Sequence, residues 1–188
     1  MPSGAMISGL KKTLVYDDIA GFPPDGCQYE LLKGELHVTP APSPQHQWAS
    51  KQLQRQLEAY FEGRTLGLVF NAPVDVILTP EDVFEPDIVV ITDRALVTTR
   101  AIEGVPTLLV EVLSPSSVDY DRAAKSRRYA ALGIPHFWIV DCAQTTIEWY
   151  RLERGSYKVI ARLSGDATAE HPDFPGLGIT AAPLWQLV

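Results

Sequence analysis

Glu85-Pro86-Asp87-Ile88-Val89-Val90-Ile91 and Thr107-Leu108-Leu109-Val110-Glu111-Val112-Leu113 are two apolar runs, each carrying an acid, and a predicted helix bearing Lys125 follows them. Both runs have the length and the branched side chains of strands. Successive side chains on a strand point to opposite faces, so Asp87 shares a face with Val89 and Ile91, and Glu111 with Leu109 and Leu113. Each carboxylate is therefore set in an apolar surface. A charge so placed is costly unless a cation or a hydrogen-bond donor compensates it. If the two strands are antiparallel neighbours, Asp87 near the start of one comes close to Glu111 near the end of the other. Two such acids repel unless a hard divalent cation sits between them, and Mg²⁺ or Mn²⁺ suits oxygen ligands. A lysine at the same end of the sheet could stabilise charge developing on a phosphate or help deprotonate a water on the metal.

Downstream, the helix is predicted over Asp119 to Leu132, with Tyr120, Ala123/Ala124, Arg127 and Ala131 on one side, and Gly133-Ile134-Pro135 stops it. Arg122, Lys125, Arg127 and Arg128 make this helix basic, either as a solvated face with Asp121 paired to Lys125 or as a rim for phosphates. His136 to Asp141 reads as a strand, parallel to the Glu111 strand through the helical crossover. Thr145 to Leu152 and Tyr157 to Leu163 form an antiparallel pair, and a short element ends at Val188.

Upstream, Thr13 to Ala20 reads as a short helix capped by Thr13, and Tyr29–Leu32 with Glu35–Thr39 as a hairpin turning on Lys33-Gly34. Ser43-Pro44 opens a helix in which Trp48, Leu53, Leu57 and Tyr60/Phe61 recur at helical spacing up to Gly63. His46 falls in its first turn. Leu68 to Leu78, broken at Pro73, is strand-like, Thr79 to Asp82 is a turn, and Thr92 to Pro106 is a loop with room for one helical turn. The sum is an α/β (α+β) fold: one domain over residues 1–188 with a mixed central sheet flanked by helices, an N-terminal hairpin and C-terminal antiparallel strands, residues 1–12 being a flexible end.

The chain has 188 residues, 46% of them hydrophobic, which suits one globular core. No run approaches a membrane span and no leader is evident at Met1 to Lys12, so a cytoplasmic location is expected. Cys27 and Cys142 are isolated and are read as packing residues, not as a zinc site or a disulfide. A formal net charge of −7 argues against a protein that coats nucleic acid by charge alone, although not against an enzyme with a local basic rim.

The order Pro86-Asp87, then Glu111 in an apolar strand, then Lys125 resembles the PD-(D/E)XK nuclease superfamily. More closely, five segments are similar in order and spacing to the Uma-two family, whose members are described as restriction endonucleases. They are Tyr29-Glu30-Leu31-Leu32-Lys33-Gly34-Glu35-Leu36, Pro42-Ser43-Pro44-Gln45-His46-Gln47, Glu85-Pro86-Asp87, Val110-Glu111-Val112-Leu113-Ser114-Pro115-Ser116-Ser117, and Gly133-Ile134-Pro135-His136-Phe137-Trp138-Ile139-Val140-Asp141. The resemblance implies a restriction-endonuclease-like core and hydrolysis of DNA phosphodiesters by a metal-bound water. It implies Asp87 and Glu111 as metal ligands, the carbonyl of Val112 as a third, and Mg²⁺ or Mn²⁺ as the cofactor. The superfamily's usual lysine position, two residues after the acid, holds Leu113 here. The role passes to Lys125 in the following helix, with Asp121 one turn earlier orienting it. Glu30 is an outer-shell candidate through the superfamily's additional N-terminal acid, and His46 is a further one.

The competing reading is a nuclease-fold module that binds nucleic acid or a protein without cutting. A more distant one is an unrelated α/β enzyme whose acids form a structural network. Double-strand cutting needs two sites, so a homodimer is expected, with Phe137-Trp138-Ile139 or Leu184-Trp185 as contributors.

Overall fold

The computed structural model describes residues 12–23, 25–114 and 120–187, with the backbone alone at 120 and 121. Its elements in chain order are α1 (Tyr16–Ile19), β1 (Gln28–Leu32), β2 (Glu35–Thr39), α2 (Pro44–Phe61), β3 (Leu68–Asn71), β4 (Val76–Thr79), β5 (Asp82–Phe84) and β6 (Ile88–Ile91). A 3₁₀ turn (Arg94–Leu96), β7 (Ile102–Glu103), β8 (Leu108–Val112), a wide π-helical turn (Tyr120–Lys125) and α3 (Ser126–Ala131) follow. The chain then runs through β9 (His136–Asp141), β10 (Thr146–Glu153), β11 (Ser156–Ser164), β12 (Thr168–Glu170), β13 (Gly178–Thr180) and α4 (Ala182–Trp185).

The mixed sheet expected from the acid-bearing strands is six-stranded, in the order β11-β10-β9-β8-β6-β3, and β8 and β9 are its parallel pair. The N-terminal hairpin belongs to a second, five-stranded sheet, β2-β1-β5-β4-β7. The break at Pro73 divides the strand-like stretch between the two sheets, with β3 in the six-stranded one and β4 in the five-stranded one. The turn read at Thr79 to Asp82 runs straight into β5, which pairs with β1 and β4.

Packing explains why the strands at the centre are apolar on both faces. One face of the six-stranded sheet, with Ile88, Val90, Leu108 and Val110, is covered by Leu53, Leu57 and Phe61 of α2 and by Ile179 and Leu184 from the C-terminal segment. The other face, with Val89, Ile91, Leu109 and Phe137, packs on Val76, Phe84 and Ile102 of the second sheet and on Tyr129 of α3. Asp87 and Glu111 fall in the alternation of this second face. Their surroundings therefore come from the hairpin sheet and α3.

Local rules hold at most boundaries. Ser43 Oγ accepts the N–H of His46 at 3.2 Å and Pro44 takes the first turn, as their sequence predicts. Lys33 and Gly34 turn the hairpin at φ 53° and 73°, and a side chain at Gly34 would also meet Thr13. Thr13 packs there and does not cap. The first helix starts at Tyr16, and Asp18 closes its N-terminus by accepting the Val15 N–H at 3.0 Å.

Two further expectations change. The helix after β8 buries Lys125, Tyr129 and Ala130 and exposes Ala123, Arg127 and Ala131, the reverse of the face read from apolar spacing. Two buried acids draw the lysine inward, and that outweighs a weak alanine periodicity. The start expected at Asp119 and the side chain of Asp121 lie outside the described residues, as does the terminal Val188. The elements expected to support a dimer are mostly internal: Phe137, Trp138 and Ile139 lie in β9 between β10 and β8 and Leu184 is fully buried, while the half-buried Trp185 donates its Nε1–H to Gly165 O. No described helix is long and apolar enough to cross a membrane.

Candidate active site

β6 and β8 are antiparallel, with Ile88 opposite Val110, and one further step of that register sets Asp87 against Glu111. Residues so opposed have Cβ atoms ~4.5–5.5 Å apart. Asp87 Oδ2 accepts the Val112 N–H at 2.7 Å and lies 3.2 Å from His46 Nε2. Asp87 thus closes the open end of the β6–β8 ladder, and the first turn of α2 supplies the imidazole.

Glu111 is only 3% exposed. Its Oε1 accepts from Lys125 Nζ at 3.1 Å and from the Tyr129 hydroxyl at 2.7 Å. Lys125 Nζ also sits 2.8 Å from Oε1 of Glu30, which accepts the Glu85 N–H at 3.0 Å. Glu30 arrives from β1, whose next residue, Leu31, points into a separate small core with Tyr16, Ile19 and Val83. The alternation of that strand turns Glu30 toward the six-stranded sheet.

All five predicted residues, Glu30, His46, Asp87, Glu111 and Lys125, are therefore gathered at one end of the β6–β8 pair. Two partners escaped sequence reasoning. Tyr129 stands one helical turn after Lys125, and that spacing was the available signal. Glu85 opens the Glu-Pro-Asp segment, and its Oε1 accepts the Tyr29 N–H at 3.2 Å.

Burial pushes the Glu85 carboxyl up to about 7, with the Tyr29 N–H opposing and the charges of Asp75 and Glu30 assisting. Its folded pKa lies above the ordinary 4.5, so the folded state holds the proton more tightly than the unfolded chain does. The contribution of Glu85 to stability is therefore fully present at low pH and is lost as pH rises from about 4.5 through about 7. Glu85→Gln should remove that decline in the metal-free protein, raising the melting temperature at pH 8 and leaving it little changed at pH 4. An unaltered pH profile would show that Glu85 is ionised without penalty.

Glu30, Asp87 and Glu111 face one lysine and one histidine, so the cluster carries more carboxylate than fixed positive charge. Asp87 Oδ1 accepts no hydrogen bond among the described residues. A hard divalent cation fits that donor set by charge and by ligand type.

The basic rim expected along the helix is largely consumed inside the fold. Arg122 binds Glu148 at 2.6 Å and Asp141 at 3.0 Å. Arg128 grips Asp82, which is fully buried. Burial pushes the Asp82 carboxyl up, but Arg128, Thr79 and the Lys33 N–H together hold it below the ordinary carboxylate range. Arg127 alone of the four basic residues stays exposed.

A second group of residues that could hold a metal ion is His136, His171 and Asp173, whose ligand atoms lie within 4.8 Å of one another. Burial pushes the His136 pKa down and that of His171 down to about 4, which favours the neutral imidazoles. The Asp173 N–H donates to His171 Nδ1 at 3.1 Å, which places the ring proton on Nε2. As found, that nitrogen is a donor. His171 is stacked against Trp138 and Phe174, a packing role in the core.

Comparison with known families gives a match over residues 16–182 to the Uma2 model, described as "Putative restriction endonuclease". The chain belongs to the Uma2 family. A solved structure from Anabaena variabilis, titled as a "putative nuclease belonging to DUF820", is similar to it, with a TM-score of 0.73 at 17% identity over 92% of this chain and 97% of that one. At that identity the likeness speaks for the fold. No curated protein matches the chain. The Uma2 match spans every residue of the carboxylate cluster.

Proposed function

We propose that this Uma2 chain is a metal-dependent endonuclease that hydrolyses DNA phosphodiester bonds at the Asp87, Glu111 and Lys125 site. The observation that carries the reading is the buried Glu30–Lys125–Glu111 chain beside Asp87, in which carboxylates outnumber cations at the open end of two paired strands.

Asp87 and Glu111 are the residues that would hold Mg²⁺ or Mn²⁺. When bound, such a cation acidifies an attacking water and stabilises charge on the phosphoryl oxygens. The protein's own groups orient and balance the site. His46 and the Val112 N–H aim Asp87, and Tyr129 aims Glu111. Lys125, held between two acids, keeps a positive charge where the phosphoryl group gains negative charge.

Buried acids are costly to keep without use, which favours an enzyme over a silent nuclease-fold module. The module reading draws on the −7 net charge and on Leu113 at the usual lysine position. Cleavage of supercoiled plasmid and of single-stranded DNA with Mg²⁺ or Mn²⁺ separates the two. Wild type should cut, and EDTA should stop it. Asp87→Asn, which keeps an oxygen for the Val112 N–H, should fold normally and lose at least about 100-fold in rate. DNA binding by wild type with no cleavage under any of these metals would leave the module.

A further inference from the structure

The outer face of α2 borders a groove of about 660 Å³ lined by Gln47, Trp48, Lys51, Gln54, Arg55 and Asn71 among others. Lys51 and Arg55 are exposed, and their side chains make no ion pair or hydrogen bond among the described residues. Several other basic side chains are engaged, Arg64 with Tyr60 and Gly176, Arg100 with Glu103, Arg151 with Asp173 and Arg162 with Glu148, whereas Lys33, Arg94 and Arg154 stand singly and away from this groove's lining. In a chain of net charge −7, two unengaged cations on one stripe mark a place where negative charge is welcome. The acid in the groove, Glu58, is bound by Gln54 Nε2 at 2.7 Å and lies at the end away from the site.

Gln47, Lys51 and Arg55 are spaced i, i+4, i+8, so they run along one side of the helix. Gln47 follows His46, whose ring contacts Asp87. On the opposite wall, Asn71 precedes Ala72, whose N–H donates to Asp87 O at 3.2 Å. On each wall, therefore, the residue next in sequence to a lining residue contacts Asp87, His46 at its carboxylate and Ala72 at its backbone carbonyl. At a helical rise of ~1.5 Å per residue, Lys51 and Arg55 lie about 7.5 and 13.5 Å along the helix from His46. The two cations thus extend in one line along the helix, as successive contacts to the backbone of one strand would. Trp48 is half-buried and is fixed by its Nε1–H to Pro183 O at 3.0 Å, the kind of rigid aromatic wall on which a base stacks.

Resting on the endonuclease reading, we propose that this groove is the track for a single DNA strand, with Lys51 and Arg55 holding phosphates of the strand whose scissile bond lies at Asp87 and Glu111. The exposed Gln47 amide supplies a further neutral donor.

The test compares wild type with Lys51→Glu/Arg55→Glu. Affinity for a fluorescein-labelled single-stranded oligodeoxynucleotide is read by anisotropy in EDTA across a salt series. Hydrolysis of bis(4-nitrophenyl) phosphate and of single-stranded DNA is read with Mn²⁺. The variant should bind at least about tenfold more weakly at low salt, with the slope of log affinity against log salt reduced by about 1.4, the contribution of two single-strand phosphate contacts. It should lose cleavage of DNA and keep hydrolysis of the small diester, which needs no track. Equal affinity and equal slope would overturn the proposal, as would an equal loss on both substrates. If wild type hydrolyses neither substrate, the endonuclease reading fails while the binding arm still decides the track.

Discussion

Glu111→Gln should fold like wild type and lose DNA cleavage by about 10³-fold or more. The glutamine oxygen can still accept the Tyr129 hydroxyl, which is fully buried, and Lys125 keeps Glu30 at 2.8 Å. What disappears is the formal charge on the one acid that lies both in the sheet and beside Asp87. The cost in stability should stay within about 1.5 kcal/mol, the net worth of an ordinary hydrogen bond. Glu111→Ala is the harsher change, because it leaves the Tyr129 O–H without an acceptor at a further ~1–3 kcal/mol. Urea unfolding together with plasmid cleavage separates the two contributions. A Glu111→Gln protein that cuts at the wild-type rate would remove Glu111 from the metal-binding role.

Lys125→Met should have the largest effect on stability, about 3–5 kcal/mol at pH 7–8. Methionine fills much of the same space, but Glu30 and Glu111, 1% and 3% exposed, lose the cation that lies between them. Cleavage should disappear as well, which by itself would not distinguish a folding role from a catalytic one. Adding Glu30→Gln makes that distinction, since it removes one of the stranded charges. The double variant should recover a good part of the stability and none of the cleavage, because the positive charge beside the phosphate is still missing. Recovery of cleavage in the double variant would reduce Lys125 to a structural counter-charge.

The site was legible as residue types in order. Asp87 and Glu111 stand out because an acid amid Val and Leu on a strand demands compensation, whereas the antiparallel pairing of β6 with β8, in sequence only a condition, is decided by the tertiary structure. Glu30 is marked through the nuclease superfamily's additional N-terminal acid and His46 only by its place in the first turn of a helix, since neither position carries a local signal of depth. Tyr129 was missed because the face of the α3 helix was assigned by alanine spacing. The wide turn over Tyr120–Lys125 and the pull of two buried carboxylates set the rotation of that helix instead. The basic residues were miscounted as surface for a similar reason. A sequence shows that Arg122 and Arg128 are charged, but not that Glu148 and Asp82 will meet them.

Short-range chemistry made the hairpin turn at Lys33-Gly34, the Ser43-Pro44 helix start and the apolar strands readable, since each depends on backbone preferences and on periods of a few residues. The division of the strands between two sheets, the covering of β9 on both sides and the meeting of Glu30 with Lys125 depend on contacts between residues far apart in the chain. No local period encodes them. They follow from which apolar faces can be buried together, and a buried charge then takes whichever opposite charge that burial brings within reach.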